Sequence, residues 1–377
     1  MLVGLIAGPW IPVPPETYGG TERVIDGLAR GLETAGHGVL LAAPSDSTCP
    51  VPLARRMRES DPESLGTAVT ELSQVIRAYE ALDGVEVIHD HTVTGPLYAR
   101  RPAGIPVVTT IHGILDAAAV DVYRVMAANT AIIGISHDQV SRARLPVDRI
   151  IHHGMDVESV PVGSGQGGYV CFVGRMCPDK GVLEAIQVAR QAGIPLRIAA
   201  KMRDRTEMTY FQDVIEPLLG SNEEFLGEVD DAAKQHLMGE AMALLNPIQW
   251  HEPFGLVMIE ALAAGTPVVG TPIGSAGEIV DHGRTGFLAP TDRLADLLPR
   301  AAGLDRALCR SRALQFFSTG RMVRDHLELY RAILDGGLPE GVPDRGELDH
   351  NRLKGAARKA PGRTGNPGED PEEGVLP

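Results

Sequence analysis

The stretch PVGSGQGGYVCFVGR, Pro161 to Arg175, is a loose run of glycines followed at once by a compact apolar strand. The glycine-rich part has linker composition. The apolar part restarts a series that has already run once before it. On both sides of the linker, short apolar runs alternate with helical stretches, the pattern of βαβ units on parallel sheets. The strands expected before it are LVGLIAG, GVLLAAP, VEVIHDH, PVVTTIHG and TAIIGIS; after it come GYVCFVGR, PLRIAAK, EEFLGEV, ALLNPI and TPVVGT. A helix from about Thr21 to Ala35 is expected, with Val24, Leu28 and Leu32 on one face, Thr21 as N-cap and Gly36 closing it. Another is expected from about Gly181 to Ala192. The expected fold class is therefore α/β, two doubly wound Rossmann-like domains facing across a cleft, with ligands beyond the carboxyl ends of the strands. The boundaries fall at 1–157 and 158–315, followed by a helix over 316–335 that should pack on the body and a Gly-, Pro- and charge-rich tail, 336–377, expected to be disordered.

At 377 residues the chain is long enough for two domains that each bury a core. A net charge of −14 argues against a protein held on nucleic acid through phosphate contacts. A nest of backbone N–H groups can still take a small anion against that charge. Cys49, Cys171, Cys177 and Cys309 show no metal-ligand spacing and point to a reducing compartment. The leading MLVGLIAGPW reads as a first buried strand and not as a signal peptide. No stretch approaches the roughly 20 apolar residues of a membrane span, so the expected location is cytoplasmic.

Three segments carry chemistry. GRMCPDKG places Arg175 and Lys180 around a turn at a strand's carboxyl end, a planar fork and a mobile point charge suited to a diphosphate. HEPFGLVMIE puts Glu252 before a helix that begins near Phe254-Gly255, and Glu260 inside it. The amides of Gly255, Leu256 and Val257 would face an anion, helped by the helix dipole. Eight helical residues would rise about 12 Å, the span from a sugar hydroxyl past a diphosphate to a ribose, whose paired hydroxyls suit a carboxylate. Gly19-Gly20 before the first helix makes a second anion-tolerant nest; it is not GxGxxG, so a nicotinamide cofactor is not indicated. The histidines His89, His91, His112, His152 and His153 follow apolar strands at the cleft edge. Their spacing favours no metal site. His112 is expected to hydrogen-bond a hydroxylated ligand, and His152 and His153 to be structural.

Taken together these segments resemble the GT-B glycosyltransferases of family 4 over roughly residues 1–334. GGTERV, GRMCPDKG, GEVDDAAK, HEPFGLVMIEALAAGTPVV and HGRTGFL occur in the family's order, including its E-x7-E pattern. The resemblance implies a retaining transferase that moves a sugar from a nucleoside diphosphate sugar, UDP- or GDP-linked, to a small-molecule, saccharide or lipid-linked acceptor. It gives the acceptor to the N-terminal domain and the donor to the C-terminal one, with the last helix crossing back to the first domain. Arg175 and Lys180 match the diphosphate pair, Glu252 the glutamate facing the donor sugar, and Glu260 the ribose glutamate. Phe254, Gly255 and Leu256 match the turn whose amides contact sugar or phosphate. Val229 and Lys234 resemble positions beside the base, Gly20 (with Gly19) the glycine near the phosphate, and His112 a histidine near the transferred sugar. No metal and no other cofactor is implied. PVPPETYGGTER looks like a subgroup of bacterial natural-product and cell-surface pathways. Gly277 stands where relatives often carry Pro, and Trp250-His251 before the first glutamate is less usual. The competing readings are a GT-B-like sugar-nucleotide epimerase, for which no acidic elimination motif is present, a phosphorylase, which lacks a candidate pyridoxal lysine, and a catalytically silent binding subunit.

Overall fold

The computed structural model describes residues 1–16 and 19–336. The expectation for the tail lies outside the described residues from 337 onward. The first half consists of β1 Leu2–Ile6, α1 Gly20–Thr34, β2 Gly38–Ala42, α2 Ala68–Ala81, β3 Val87–Asp90, β4 Val107–Thr110, α3 Ala117–Met126, β5 Ala131–Gly134, α4 His137–Ala143 and β6 Arg149–Ile150. Its strands form a six-stranded sheet in the order β2-β1-β3-β4-β5-β6, and each pair is parallel. The two-residue β6 is too short to be seen in the sequence.

The second half consists of β7 Val170–Arg175, α5 Val182–Ala192, β8 Leu196–Lys201, α6 Arg205–Tyr210, β9 Glu223–Gly227, α7 Asp231–Glu240, β10 Leu244–Asn246, α8 Leu256–Ala263, β11 Val268–Gly270, α9 Ala276–Ile279, β12 Gly286–Leu288, α10 Leu294–Ala301, α11 Arg306–Phe317 and α12 Thr319–Leu334. Its sheet runs β12-β11-β10-β7-β8-β9, again all parallel. Both sheets are covered on both faces, which is why their strands read as almost unbroken apolar runs. In β1, Leu5 joins the core under α1 and α12 while Ile6 joins the one under α2. In β7, Cys171 faces α8 and α11 whereas Phe172 faces α5 and α10.

The expected doubly wound α/β pair is thus present, with two local differences. Helix α1 starts at Gly20 with Gly19 as N-cap and no side-chain cap, so Thr21 lies inside its first turn. A Cβ on Gly20 would lie 3.2 Å from Leu256 of α8, so the start of α1 packs closely against the second half. The expected helix over 316–335 is also divided. Phe316 and Phe317 close α11, and Ser318, whose hydroxyl accepts from Arg321 N, caps α12. At this break the chain returns to the first half. Met155 N donates to Phe317 O and Thr319 N to Met155 O, both at 2.9 Å. Met322, Val323, Leu327, Leu329 and Tyr330 of α12 then complete the core of the first sheet.

Candidate active site in the cleft

In each sheet the strand order reverses between two neighbours, β1 and β3 in the first and β7 and β10 in the second. An open parallel sheet leaves a crevice beyond its carboxyl ends at such a point. The two crevices share one cavity of about 560 Å³. Gly19, Gly20, His112, Arg175, Lys180, Val229, Lys234, Glu252, Phe254, Gly255, Leu256 and Glu260 all line it. Every residue that the family resemblance singled out is therefore brought to one place, from both halves, whereas His89 and His152 do not line the cavity.

Strands β7 and β8 end side by side, with Arg175 in register with Lys201. Arg175 Nη1 donates to Glu207 Oε1 at 2.9 Å, and Glu207 is buried. Glu207 also accepts from Arg203 N at 2.6 Å, while its own N–H is taken by Asp204, the N-cap of α6. Lys201 pairs with Glu228 at 2.9 Å. Lys180, in a short turn after β7, is ion-paired with Glu252. Trp250 Nε1 donates to the same carboxylate at 3.1 Å, and the Lys180 ammonium sits 5.3 Å from the Trp250 ring centroid, a cation–π distance. Lys234 pairs with Glu260 at 2.7 Å and with Asp231 at 3.2 Å, and Asp231 reaches across to Arg23 of α1 at 2.5 Å. Burial pulls the Lys234 pKa down, but the carboxylates around it more than compensate and leave it raised. Arg23, Arg175, Lys180, Lys201 and Lys234 thus each face a carboxylate within the protein.

The loop that carries Glu252 is held from three sides. Ser136 Oγ, at the end of β5, donates to Pro253 O at 2.6 Å, and Ser275 Oγ donates to Phe254 O. A Cβ on Gly274 would sit 2.6 Å from both the N and the O of Glu252, so only glycine fits there. The helix that follows begins at Leu256, one to two residues later than the sequence indicates. Gly255 is its N-cap at φ +86, a left-handed conformation that favours glycine. The first amides of α8 have no partner within the helix and open into the cleft. Gly277, by contrast, faces open space, so the residue type there imposes nothing on this loop.

The histidines form a continuous group. His89 is buried and hydrogen-bonded to Tyr330 Oη at 2.6 Å and to Thr110 Oγ1 at 2.8 Å. His91 Nδ1 and His112 Nε2 are 2.8 Å apart. His112 stacks on His153 at 5.2 Å between centroids, and His153 meets the Phe254 ring at 5.0 Å. His153 is therefore part of the cleft wall, beyond the structural role expected for it. His152 does take a structural part, as its Nε2 pairs with Glu278 at 2.7 Å. The same carboxylate accepts from the His137 and Asp138 amides at the start of α4, joining α9 to the first half. Burial and neighbouring histidines push His112 down to about 3, and hold His89, His91 and His153 well below the usual imidazole value.

Sequence reasoning left out several lining residues, Trp10, Glu22, Arg23, Glu71, Lys201 and Arg203, and it placed His91 at the cleft edge without giving it a role. One signal was present for Glu207, the second-rank partner of Arg175. Asp204 and Glu207 have the D-x-x-E spacing of a helix start directly after the β8 strand. Glu22, buried in the first turn of α1, gave none. Burial raises its pKa.

Two family models match the chain, one described as glycosyl transferases group 1 over residues 167–303 and one as glycosyltransferase family 4 over residues 18–159. The phosphatidyl-myo-inositol mannosyltransferase of Mycolicibacterium smegmatis is 28% identical over 323 residues, covering 78% of this chain and 81% of that protein. The alpha-maltose-1-phosphate synthase of Mycobacterium tuberculosis is 26% identical over 385 residues, covering 85% and 97%. Among solved structures, AviGT4, a glycosyltransferase involved in avilamycin A biosynthesis, superposes with a TM-score of 0.69 at 27% identity, over 89% of this chain and 98% of that one. Among the described residues no helix is long and apolar enough to cross a membrane.

Proposed function

The chain belongs to the family 4 glycosyltransferases of the GT-B fold, and from that premise we propose that it transfers a sugar, with retention at the anomeric carbon, from a UDP- or GDP-linked donor to a hydroxyl acceptor. The observation that carries this reading is the meeting, in one cleft, of two cations, the open start of α8 and a carboxylate on either side of it. Arg175, Lys180 and the amides at Gly255 and Leu256 stabilise the leaving diphosphate, with Gly19 and Gly20 letting the phosphate approach the first half. Glu252 takes donor-sugar hydroxyls together with His112, while Glu260 takes the ribose diol beside Val229 and Lys234. The acceptor oxygen attacks from the side of the departing diphosphate, whose own oxygen receives the acceptor's proton. Catalysis then lies in positioning and electrostatic stabilisation, with no metal needed at the diphosphate.

Donor arrival exchanges one set of partners for another: Lys180 passes from Glu252 to phosphate, and Glu252 from lysine to sugar. The acceptor enters along Trp10, Ile11, Leu65 and Val93 of the first half. That wall is partly apolar, which supports a lipid-linked or natural-product acceptor, the types to which the mannosyltransferase and AviGT4 names refer. The cell compartment proposed is the cytoplasm. No observation favours the epimerase or the silent subunit.

The test is a thermal-shift and turnover screen against UDP- and GDP-sugars. Binding at a hundredfold excess over Kd stabilises by about 2.7 kcal/mol, so one donor raises the unfolding midpoint by several degrees and releases nucleoside diphosphate. Arg175→Ala and Glu260→Ala lower turnover at least about tenfold, the loss expected for a charge-assisted hydrogen bond. The reading is lost if no donor binds and both substitutions leave the protein's behaviour unchanged.

A further inference from the structure

Two buried nitrogens in the cleft wall, His91 Nε2 and His112 Nδ1, have no hydrogen-bond partner among the described residues. Both residues line the cavity. Their other ring nitrogens, His91 Nδ1 and His112 Nε2, face each other at 2.8 Å. One of these must donate and the other accept. The imidazoles are buried beside His89, His153 and His326, and such surroundings keep both rings uncharged near neutral pH.

Two neutral imidazoles carry two N–H groups and two lone pairs. The bridge between them uses one of each. The two outer nitrogens therefore always present one donor and one acceptor, and which end is which depends on the direction of the bridge. If His112 donates through Nε2, its outer Nδ1 accepts and His91 Nε2 donates. If His91 donates through Nδ1, the outer roles reverse. A buried polar atom left unpaired is costly, and a hydroxyl can satisfy either kind of end.

The two residues stand on different sides of the cleft wall. His112 stacks on His153, which meets Phe254 of the α8 loop, so it stands on the side assigned to the donor. His91 follows β3 and donates its backbone N–H to Ile6 O at the end of β1, the strand that leads to Trp10 and Ile11. It stands on the acceptor side.

We propose that His91 and His112 form a tautomer-coupled pair in which His91 is a positioning residue: it fixes the hydrogen-bonding character that His112 shows to the donor sugar, and its own outer nitrogen takes a second hydroxyl. A sugar hydroxyl held at His112 sets whether the His91 end donates or accepts before the acceptor arrives. The proposal rests on the transferase reading, and its test separates the two.

Protein labelled with nitrogen-15 in histidine is titrated with UDP, UDP-glucose, GDP and GDP-mannose, and ring signals are followed by long-range proton–nitrogen correlation. In the free protein both rings show one protonated and one bare nitrogen. The sugar nucleotide that binds moves the ring signals of His112 and His91 together, whereas the matching nucleotide alone moves neither. In His91→Phe, affinity for that sugar nucleotide falls about three- to tenfold, as for a lost neutral hydrogen bond, while affinity for the nucleotide alone stays within twofold. His91→Asn, whose amide can turn either its nitrogen or its oxygen to the place of Nδ1 and so donate or accept there, restores the sugar nucleotide to within twofold. If no nucleotide of any kind binds, the transferase reading itself fails. If nucleotides bind but the two rings respond independently, or His91→Phe weakens nucleotide and sugar nucleotide alike, the coupled pair is wrong. Should His91→Phe not fold, the asparagine variant and the ring signals of the unsubstituted protein decide the matter.

Discussion

Glu207 is a buried partner of Arg175. It is 4% exposed, accepts from the Arg175 guanidinium at 2.9 Å and from the Arg203 amide at 2.6 Å, and so holds the cation proposed for the diphosphate from behind. Glu207→Gln keeps the shape but removes the charge. It should weaken donor binding and turnover together by about tenfold, since a charge-assisted hydrogen bond contributes about 1.5–3 kcal/mol. Isothermal titration with the donor, alongside kcat and KM, checks this; unchanged values would mean that Arg175 is oriented by other contacts. At this scale the sequence discloses the charged groups lining the cleft better than their supports. Arg175, Lys180, Glu252 and Glu260 lie next to strand ends and a helix start that are legible locally. The pairing of Arg175 with a carboxylate 32 residues away depends on β7 and β8 lying side by side, which no local pattern states.

Helix α1 is built to let another helix close in. A Cβ on Gly31 would fall 2.5 Å from Val323 Cγ2 and 2.9 Å from Thr319 Cγ2 of α12, whereas one on Gly27 would meet nothing nearer than 3.8 Å. Both glycines lie inside the helix, where alanine is favoured over glycine by about 1 kcal/mol. Gly27→Ala should therefore raise the unfolding midpoint. Gly31→Ala should lower it, because overpacking against a stiff valine costs about 1–3 kcal/mol. Calorimetry on the two variants gives opposite signs if the contact is as described, and equal signs if α12 is loosely seated. The alternation of strand and helix was readable because both sheets are buried on both faces. Helix starts were read less well. Thr21 looked like an N-cap, yet Gly19 occupies that position, where a Cβ would fall within 3 Å of Pro15 and Glu22, and the Gly20 beside it lies against Leu256 of α8, an element more than two hundred residues away.

At the scale of the whole molecule, five of the described histidines, His89, His91, His112, His153 and His326, are buried and held neutral where the halves meet. Their folded pKa values lie below the ordinary 6.5, His112 at about 3 and His326 at about 4, chiefly through burial. Between those values and 6.5 the unfolded chain binds more protons, so their contribution to stability is complete above 6.5 and is lost as pH falls. Asp90, which burial holds up to about 7, acts in the opposite sense, losing stability as pH rises toward that value. Glu22, whose pKa burial also raises, acts in the same sense as Asp90, but two such carboxyls against five imidazoles leave the histidines in control. The unfolding midpoint should thus fall by a few degrees between about pH 7 and about pH 5. His326→Asn, which can still donate to Met322 O, should flatten the slope; an equally steep slope would place the acid sensitivity elsewhere.

The return of α12 bears on how such a chain can be recombined. Tyr330 and the apolar face of α12 belong to the core of the first sheet, although they come last among the described residues. A hybrid made by a single joint in the glycine-rich segment near Gly165 would pair one parent's α1 with the other parent's α12, and Gly31 would confront a surface it was not shaped for. Exchange of donor preference between relatives therefore calls for two joints, the second at the Ser318 break, so that 319–334 travels with the half it completes.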